Sequence, residues 1–210
     1  MDQARMVPRL GRGVLALFAV AFGILALRYL AFDPEVAPEE LRQNLLDHPA
    51  AFYTHAITAA LALIVGVWQF LPATRRSAWH RYAGRTYAAL AIVGGITGFV
   101  ISLSTETGPA AGIGFSILAV LWLAATVIGV AHARRRDFDS HRVWMIRSYA
   151  LAAAAISLRI YLSVGAAVGV PFDTAYIFAA WASWIGNLAI AEMIVRRGRA
   201  AGRVAGVPAE

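Results

Sequence analysis

The chain has 210 residues, of which 60% are hydrophobic and only 15% are charged. That balance does not suit a soluble domain with a polar surface, so it argues against an ordinary soluble enzyme. There is no cysteine, which excludes disulfides, thiolate metal sites and iron–sulfur clusters. The net charge of +7 would suit a nucleic-acid-binding protein, but the placement of the charges favours a membrane protein instead.

Six apolar stretches follow one another along the chain, each about the 20 residues that a helix needs to cross a bilayer. We therefore predict an all-α integral membrane bundle of six transmembrane helices. Residues 1–13 precede the bundle, residues 14–195 form it and residues 196–210 are a basic tail. No predicted span contains the obvious interruption that is typical of many transporters. The predicted spans are 14–32, 52–71, 83–103, 111–131, 143–166 and 175–195.

The arginines fall almost entirely on one side of this predicted topology. The loops on the other side contain acidic residues and a single arginine, Arg42. Because basic loops stay in the cytoplasm, we expect an inner-membrane protein with both termini cytoplasmic, in contact with anionic lipid headgroups and not with nucleic acid. The basic clusters are Arg5, Arg9 and Arg12; Arg75, Arg76, Arg81 and Arg85; Arg134, Arg135, Arg136, Arg142 and Arg147; and Arg196, Arg197, Arg199 and Arg203.

The segments that begin spans 3 and 5 are similar to each other. Each contains His-Arg, at His80 and at His141, followed by Arg-Thr-Tyr in residues 85–87 and Arg-Ser-Tyr in residues 147–149. Two repeated helical hairpins, spans 2–3 and spans 4–5, would produce this pattern. The two spacings differ by one residue, so a chance similarity stays open as the alternative.

Several short segments between about residues 50 and 195 combine into one pattern. The most specific is residues 141–148, His-Arg-Val-Trp-Met-Ile-Arg-Ser; the others are His55, residues 68–72, 80–81, 84–87 and 158–159, and residues 181–192. This pattern resembles the bacterial membrane-protein family known as domain of unknown function 2306. The resemblance implies an integral membrane fold and carries no assigned chemistry.

Polar residues inside the predicted spans indicate an intramembrane site. Arg159 lies about 18 Å further along its helix than Arg147, at 1.5 Å per residue, which puts it well within the apolar layer. An arginine there is costly unless it is paired or hydrated. His55 lies at a similar level. Two interpretations of Arg159 stay open: a structural ion pair or snorkelling contact, and a site for a substrate, a proton or a cofactor propionate.

A second group of polar residues is expected near the cytoplasmic rim. Glu192 lies about one helical turn from the basic tail, at a depth similar to that of Arg85 and Arg147. We predict that Glu192 pairs with such an arginine and that Asn187 lies about one turn above it. The sequence thus predicts a polar site near the cytoplasmic rim, with its chemistry unassigned.

Three uses of these residues stay open. A haem b between helices would take His80 and His141 as ligands and Arg85 and Arg147 for its propionates, and only then would the protein be an oxidoreductase. Helix N-termini carrying Arg81 and Arg142 could instead hold a phosphate or an anionic lipid headgroup. A proton-coupled carrier would be built around Arg159, His55 and Glu192, which together with Asn187 form the predicted intramembrane polar site. No hydrolytic motif and no protein partner is indicated.

Overall fold

The computed structural model describes residues 3–69 and 77–204, and within these ranges every regular element is helical. Two short 3-10 helices, Leu27–Ala31 and Pro34–Val36, connect α1 with α2. The α-helices are α1 (Gln3–Ala26), α2 (Glu39–Asp47), α3 (Pro49–Trp68), α4 (Ala78–Ser102), α5 (Pro109–Arg134), α6 (Phe138–Ala152), α7 (Ala154–Ala167) and α8 (Phe172–Val204).

The predicted helical membrane bundle is confirmed. In the described residues, five helical stretches are long and apolar enough to cross a membrane, and the first predicted span corresponds to a shorter apolar stretch, Ala16–Ala31. Residues 70 and 71 of the second predicted span lie outside the described residues, and α8 continues into the predicted tail as far as Val204. The five stretches are Pro49–Trp68, Ala78–Ser102, Pro109–Arg134, Phe138–Ala167 and Phe172–Arg199.

Local sequence accounts for where several helices begin. Pro49 and Pro109 occupy the first turns of α3 and α5, where a missing N–H costs nothing because the helix offers it no partner. The Ser77 hydroxyl accepts a hydrogen bond from the His80 backbone N–H at 3.3 Å, and this contact caps α4. Asp137 caps α6 in the same way. Both capped helices therefore begin at the end of the bundle where the described arginine clusters lie, which we call the arginine-rich end.

Small residues set the distance between the packed helices. Alanine and glycine are abundant among the most buried residues, and in a membrane such residues let helix backbones approach closely. At Gly66 of α3, a side-chain methyl group would lie only 2.6 Å from Tyr149 Cδ2 and 3.0 Å from Tyr87 Cε2. α3 packs mainly against α4, and α5 against α6. Both predicted hairpins are therefore present, while their origin by duplication stays a prediction.

The fifth predicted span forms one apolar helical stretch, Phe138–Ala167, with a local interruption at Ala153 that the sequence analysis did not predict. α6 ends at Ala152 and α7 begins at Ala154, which leaves Ala153 between them. Next to the interruption, the Ile156 N–H donates to the Ala153 carbonyl, a tighter bond to the third preceding residue. α6 packs mainly against α5, whereas α7 packs mainly against α8. The two halves of this span therefore belong to different helix pairs.

The surface helix α2 covers the opposite end of the bundle, which we call the acidic end. The Asn44 side-chain amide donates to the Ile101 and Ser104 carbonyls at 3.0 Å each. The Asn44 backbone N–H also donates to Glu106 Oε1 at 2.6 Å. Leu45, next to Asn44, is fully buried. These contacts fix α2 onto the end of α4 and the loop that follows it.

Candidate functional site

An ion pair joins α6 to α8 near the arginine-rich end. Arg147 Nε lies 2.6 Å from Glu192 Oε1 and Arg147 Nη2 lies 3.2 Å from Glu192 Oε2, so the guanidinium binds both carboxylate oxygens. The guanidinium also stacks 4.6 Å from the centre of the Trp144 ring. Two parallel bonds of this kind are stronger and more directional than a single contact. Glu192 keeps 37% of its side-chain surface exposed, so its carboxylate stays accessible to a proton.

The interruption between α6 and α7 is bridged by one side chain of α8. Asn187 Nδ2 donates to the Ala150 carbonyl at 3.1 Å, and the Ser157 hydroxyl donates to Asn187 Oδ1 at 2.9 Å. Asn187 therefore holds the last turn of α6 and the first turn of α7 together. We call Asn187, Ser157 and the Ala150 carbonyl the junction cluster. An amide inserted into a helix's own bonding ladder is a known cause of such kinks.

Two further polar groups of α8 lie close to Asn187 in sequence without a hydrogen-bond partner among the described residues. They are the Ser183 hydroxyl and the Trp184 indole N–H, and both atoms are buried. Ser183 precedes Asn187 by one helical turn on the same face of α8. Buried polar groups almost always find a partner, so each exception requires an explanation. A polar solute or a water molecule at the depth of Ser183 and Trp184 would supply the missing hydrogen-bond partner.

His55 and Arg159, predicted to lie at a similar level, make separate hydrogen bonds. His55 Nδ1 lies 2.8 Å from the Gly94 carbonyl, and its ring packs against Gly98, where a side chain would collide with it. Arg159 donates to the Ala155 carbonyl of its own helix at 2.8 Å. Among residues 3–69 and 77–204, it has no carboxylate partner within 4 Å. A structural ion pair was one interpretation of Arg159 from the sequence. The described chain contains no carboxylate close enough to form it.

A buried hydroxyl network at the centre of the bundle was missed by the sequence analysis. The Ser148 hydroxyl lies 2.8 Å from the Tyr87 hydroxyl and 2.7 Å from the Thr126 hydroxyl. The Trp122 indole donates to the Tyr87 hydroxyl at 3.4 Å, and the Tyr149 hydroxyl donates to a backbone carbonyl of α3 at 3.0 Å. The tyrosine that ends both repeated segments was the available signal. The network joins α4, α5 and α6 into one rigid unit.

The histidines of the haem hypothesis carry their ring protons differently. His141 Nδ1 lies 2.8 Å from the Gly129 carbonyl, so it donates there and leaves Nε2 free for a ligand. In the amide orientation that satisfies both groups, Gln69 Nε2 donates to His80 Nδ1 at 3.1 Å. That bond puts the ring proton of a neutral His80 on Nε2, the atom that would bind iron.

The two arginines of the haem hypothesis lie in different surroundings. Arg147, predicted to bind a propionate, is bound by Glu192. Arg85, its predicted counterpart, is exposed. His132 lies against Asp137 at 2.9 Å, and no group of three or more metal-ligating side chains occurs in the described residues. Binding of haem by His80 and His141 therefore stays a prediction.

The predicted headgroup ligands Arg81 and Arg142 are both exposed near the starts of α4 and α6.

The chain was compared with protein families, curated proteins and solved structures. A family model described as predicted membrane protein, domain of unknown function 2306, matches residues 52–195. No curated protein and no solved structure matches the chain.

Proposed function

The chain belongs to the family of predicted membrane proteins named domain of unknown function 2306, and from its own geometry we propose that it is a small proton-coupled carrier. It would be a multi-pass protein of the inner membrane with both termini in the cytoplasm. The support for this orientation is the concentration of arginine on alternate loops. The arginine-rich end is then the cytoplasmic end.

The interruption at Ala153 is the observation that carries this proposal. Interrupted membrane helices are typical of the binding sites of secondary transporters, because their freed backbone groups face a polar solute at mid-membrane. Here the Asn187 amide binds one such group, the Ala150 carbonyl, and the buried Ser183 hydroxyl lies one helical turn away. Arg147 and Arg159 each lie about 9 Å from Ala153 along the helix, at 1.5 Å per residue, on opposite sides of it.

Glu192 is the proposed proton acceptor. As a carboxylate it accepts two hydrogen bonds from Arg147 and thereby fastens α8 to α6. When the carboxylate takes one proton from the cytoplasm it becomes neutral and the ion pair is lost, which weakens the contact between these helices. α7 packs mainly against α8, while α8 also packs against α5 and α6. Loss of the ion pair removes one of the contacts that hold α8 to α6, and so favours movement of α7 and α8 relative to α5 and α6. Release of the proton on the opposite side of the membrane restores the ion pair and completes its transfer.

Uptake into proteoliposomes tests the proposal. We expect the wild-type protein, under an imposed pH gradient, to accumulate at least one solute of a radiolabelled panel containing lactate, succinate, glycine and choline. Glu192→Gln should lose gradient-driven accumulation and keep solute exchange, because its neutral amide imitates the protonated carboxyl group permanently. Asp173→Asn is the matched control, since it removes an exposed carboxylate from the other end of α8.

Two results would count against the carrier. One is that none of the four solutes enters wild-type proteoliposomes faster than it enters protein-free vesicles. The other is that, under the imposed pH gradient, Glu192→Gln accumulates a solute to the same extent as the wild type and Asp173→Asn do. The second result would remove the role of Glu192 even if transport itself is observed.

A further inference from the structure

An apolar groove lies on the outer surface of α4 and α5, away from the proposed carrier site. Its volume is about 420 Å³. Val127 is 53% exposed, so this wall of the groove faces the lipid and not the protein interior. The residues that line the groove are Ile92, Val127, Val130, Ala131, Arg134 and Arg135.

The groove changes from apolar to basic along its length. Val127 and Arg134 are separated by about 10 Å along α5, at 1.5 Å per residue. The apolar wall therefore lies in the hydrocarbon layer, and the two arginines lie at its rim, where lipid phosphates are found. A ligand that matches this order needs an apolar chain and a negatively charged head.

The arginines at the rim are available to an external anion. Arg134 and Arg135 are both exposed, and neither has a carboxylate partner within 4 Å among residues 3–69 and 77–204. The nearest acidic residue in sequence, Asp137, is bound elsewhere, since it accepts from Ser140 at 3.1 Å and lies 2.9 Å from His132. Hydrogen bonds from Ser140, with a smaller contribution from His132, hold the pKa of Asp137 below its ordinary value. Asp137 therefore stays ionised within its own contacts at neutral pH.

We propose that this groove binds one anionic phospholipid, with an acyl chain along Val127 and Val130 and the phosphate between Arg134 and Arg135. This site is separate from the headgroup contacts expected at Arg81 and Arg142, which lie near the starts of α4 and α6. A zwitterionic phospholipid has the same acyl chains but no net negative charge, so it gains less from the two arginines.

Native mass spectrometry of the protein from nanodiscs of phosphatidylglycerol and phosphatidylethanolamine tests the site. Replacing Arg134 and Arg135 together with glutamine should weaken retention of phosphatidylglycerol about tenfold to thirtyfold, because each basic residue near a headgroup contributes on the order of 1 kcal/mol. Arg197→Gln with Arg199→Gln is the matched control, because it removes the same charge from exposed positions at the same end, outside both the groove and the headgroup contacts expected at Arg81 and Arg142. Val130→Trp should fill the groove and lower retention without changing any charge.

Some results would overturn the site. Wild-type retention in the Arg134 and Arg135 variant would remove the headgroup contact. An equal loss in the Arg197 and Arg199 control would show a general attraction to the basic rim and no specific groove. Undiminished binding in Val130→Trp would show that the acyl chain lies elsewhere. Equal retention of phosphatidylethanolamine and phosphatidylglycerol by the wild type would show that charge does not select the lipid.

Discussion

Replacing Arg159 with methionine should raise the free energy of unfolding by about 1–3 kcal/mol, since a charged residue in the middle of a membrane helix costs on the order of 3 kcal/mol on insertion scales. The guanidinium bonds to the Ala155 carbonyl of its own helix and has no carboxylate within 4 Å in the described chain. Methionine is unbranched and apolar, so it can follow much of the same path without the charge. The same substitution should abolish transport, because a residue kept at a cost to stability is expected to serve function.

The comparison with Arg159→Lys separates the charge from the shape of the side chain. Lysine keeps the positive charge, so it should give none of the gain in stability. Reversible unfolding in detergent, followed by tryptophan fluorescence, measures both variants against the wild type. A loss of stability in Arg159→Met greater than about 1 kcal/mol, the usual size of a single lost hydrogen bond, would mean that Arg159 has a stabilising partner and is not poised for a ligand.

Removing either member of the Arg147–Glu192 pair should lower the free energy of unfolding by about 1–3 kcal/mol, between the values for exposed and for buried pairs. The pair is intermediate because the side chains of Arg147 and Glu192 are 23% and 37% exposed. Each single variant, Arg147→Gln or Glu192→Gln, leaves one charge without its partner near the rim of the hydrocarbon layer. The double variant removes both charges and should cost less than the two single variants combined.

The coupling energy from this double-mutant cycle also bears on function. A coupling of about 1–2 kcal/mol would let protonation of Glu192 shift a two-state equilibrium roughly fivefold to thirtyfold, which suits a switch. Arg147→Gln with Asp173→Asn provides the matched comparison, because Asp173 lies at the other end of α8 and should show no coupling. A coupling near zero for Arg147 and Glu192 would mean that the ion pair does not hold α6 to α8.

Hydropathy and charge were sufficient to predict the helical bundle, because lipid requires long apolar helices wherever the chain crosses it. The pairing of Glu192 with an arginine at matching depth also followed from helix geometry, since 1.5 Å per residue places both groups near the same rim. The choice of Arg147 over Arg85 did not follow. It depends on which helix faces α8, and that is a property of the packing.

The interruption at Ala153 could not be predicted because it contradicts local propensity. Residues 152–155 are all alanine, the strongest helix former, and contain neither proline nor glycine. The interruption depends on Asn187, whose amide reaches a carbonyl 37 residues away in sequence. The tautomer of His80 likewise depends on the Gln69 amide, which lies just past the end of α3. Such contacts between distant residues leave no local pattern in a single sequence.

The most direct test of the carrier is a distance measurement between α6 and α8 at the arginine-rich end. The chain has no cysteine, so spin labels at Arg142→Cys and Arg197→Cys report only that distance. We predict that Glu192→Gln, or acidic pH in the otherwise wild-type chain, adds a population with a longer distance, while Asp173→Asn leaves the distribution unchanged. One identical distribution in all variants, at acidic and at mildly alkaline pH, would contradict a carrier that is switched by Glu192.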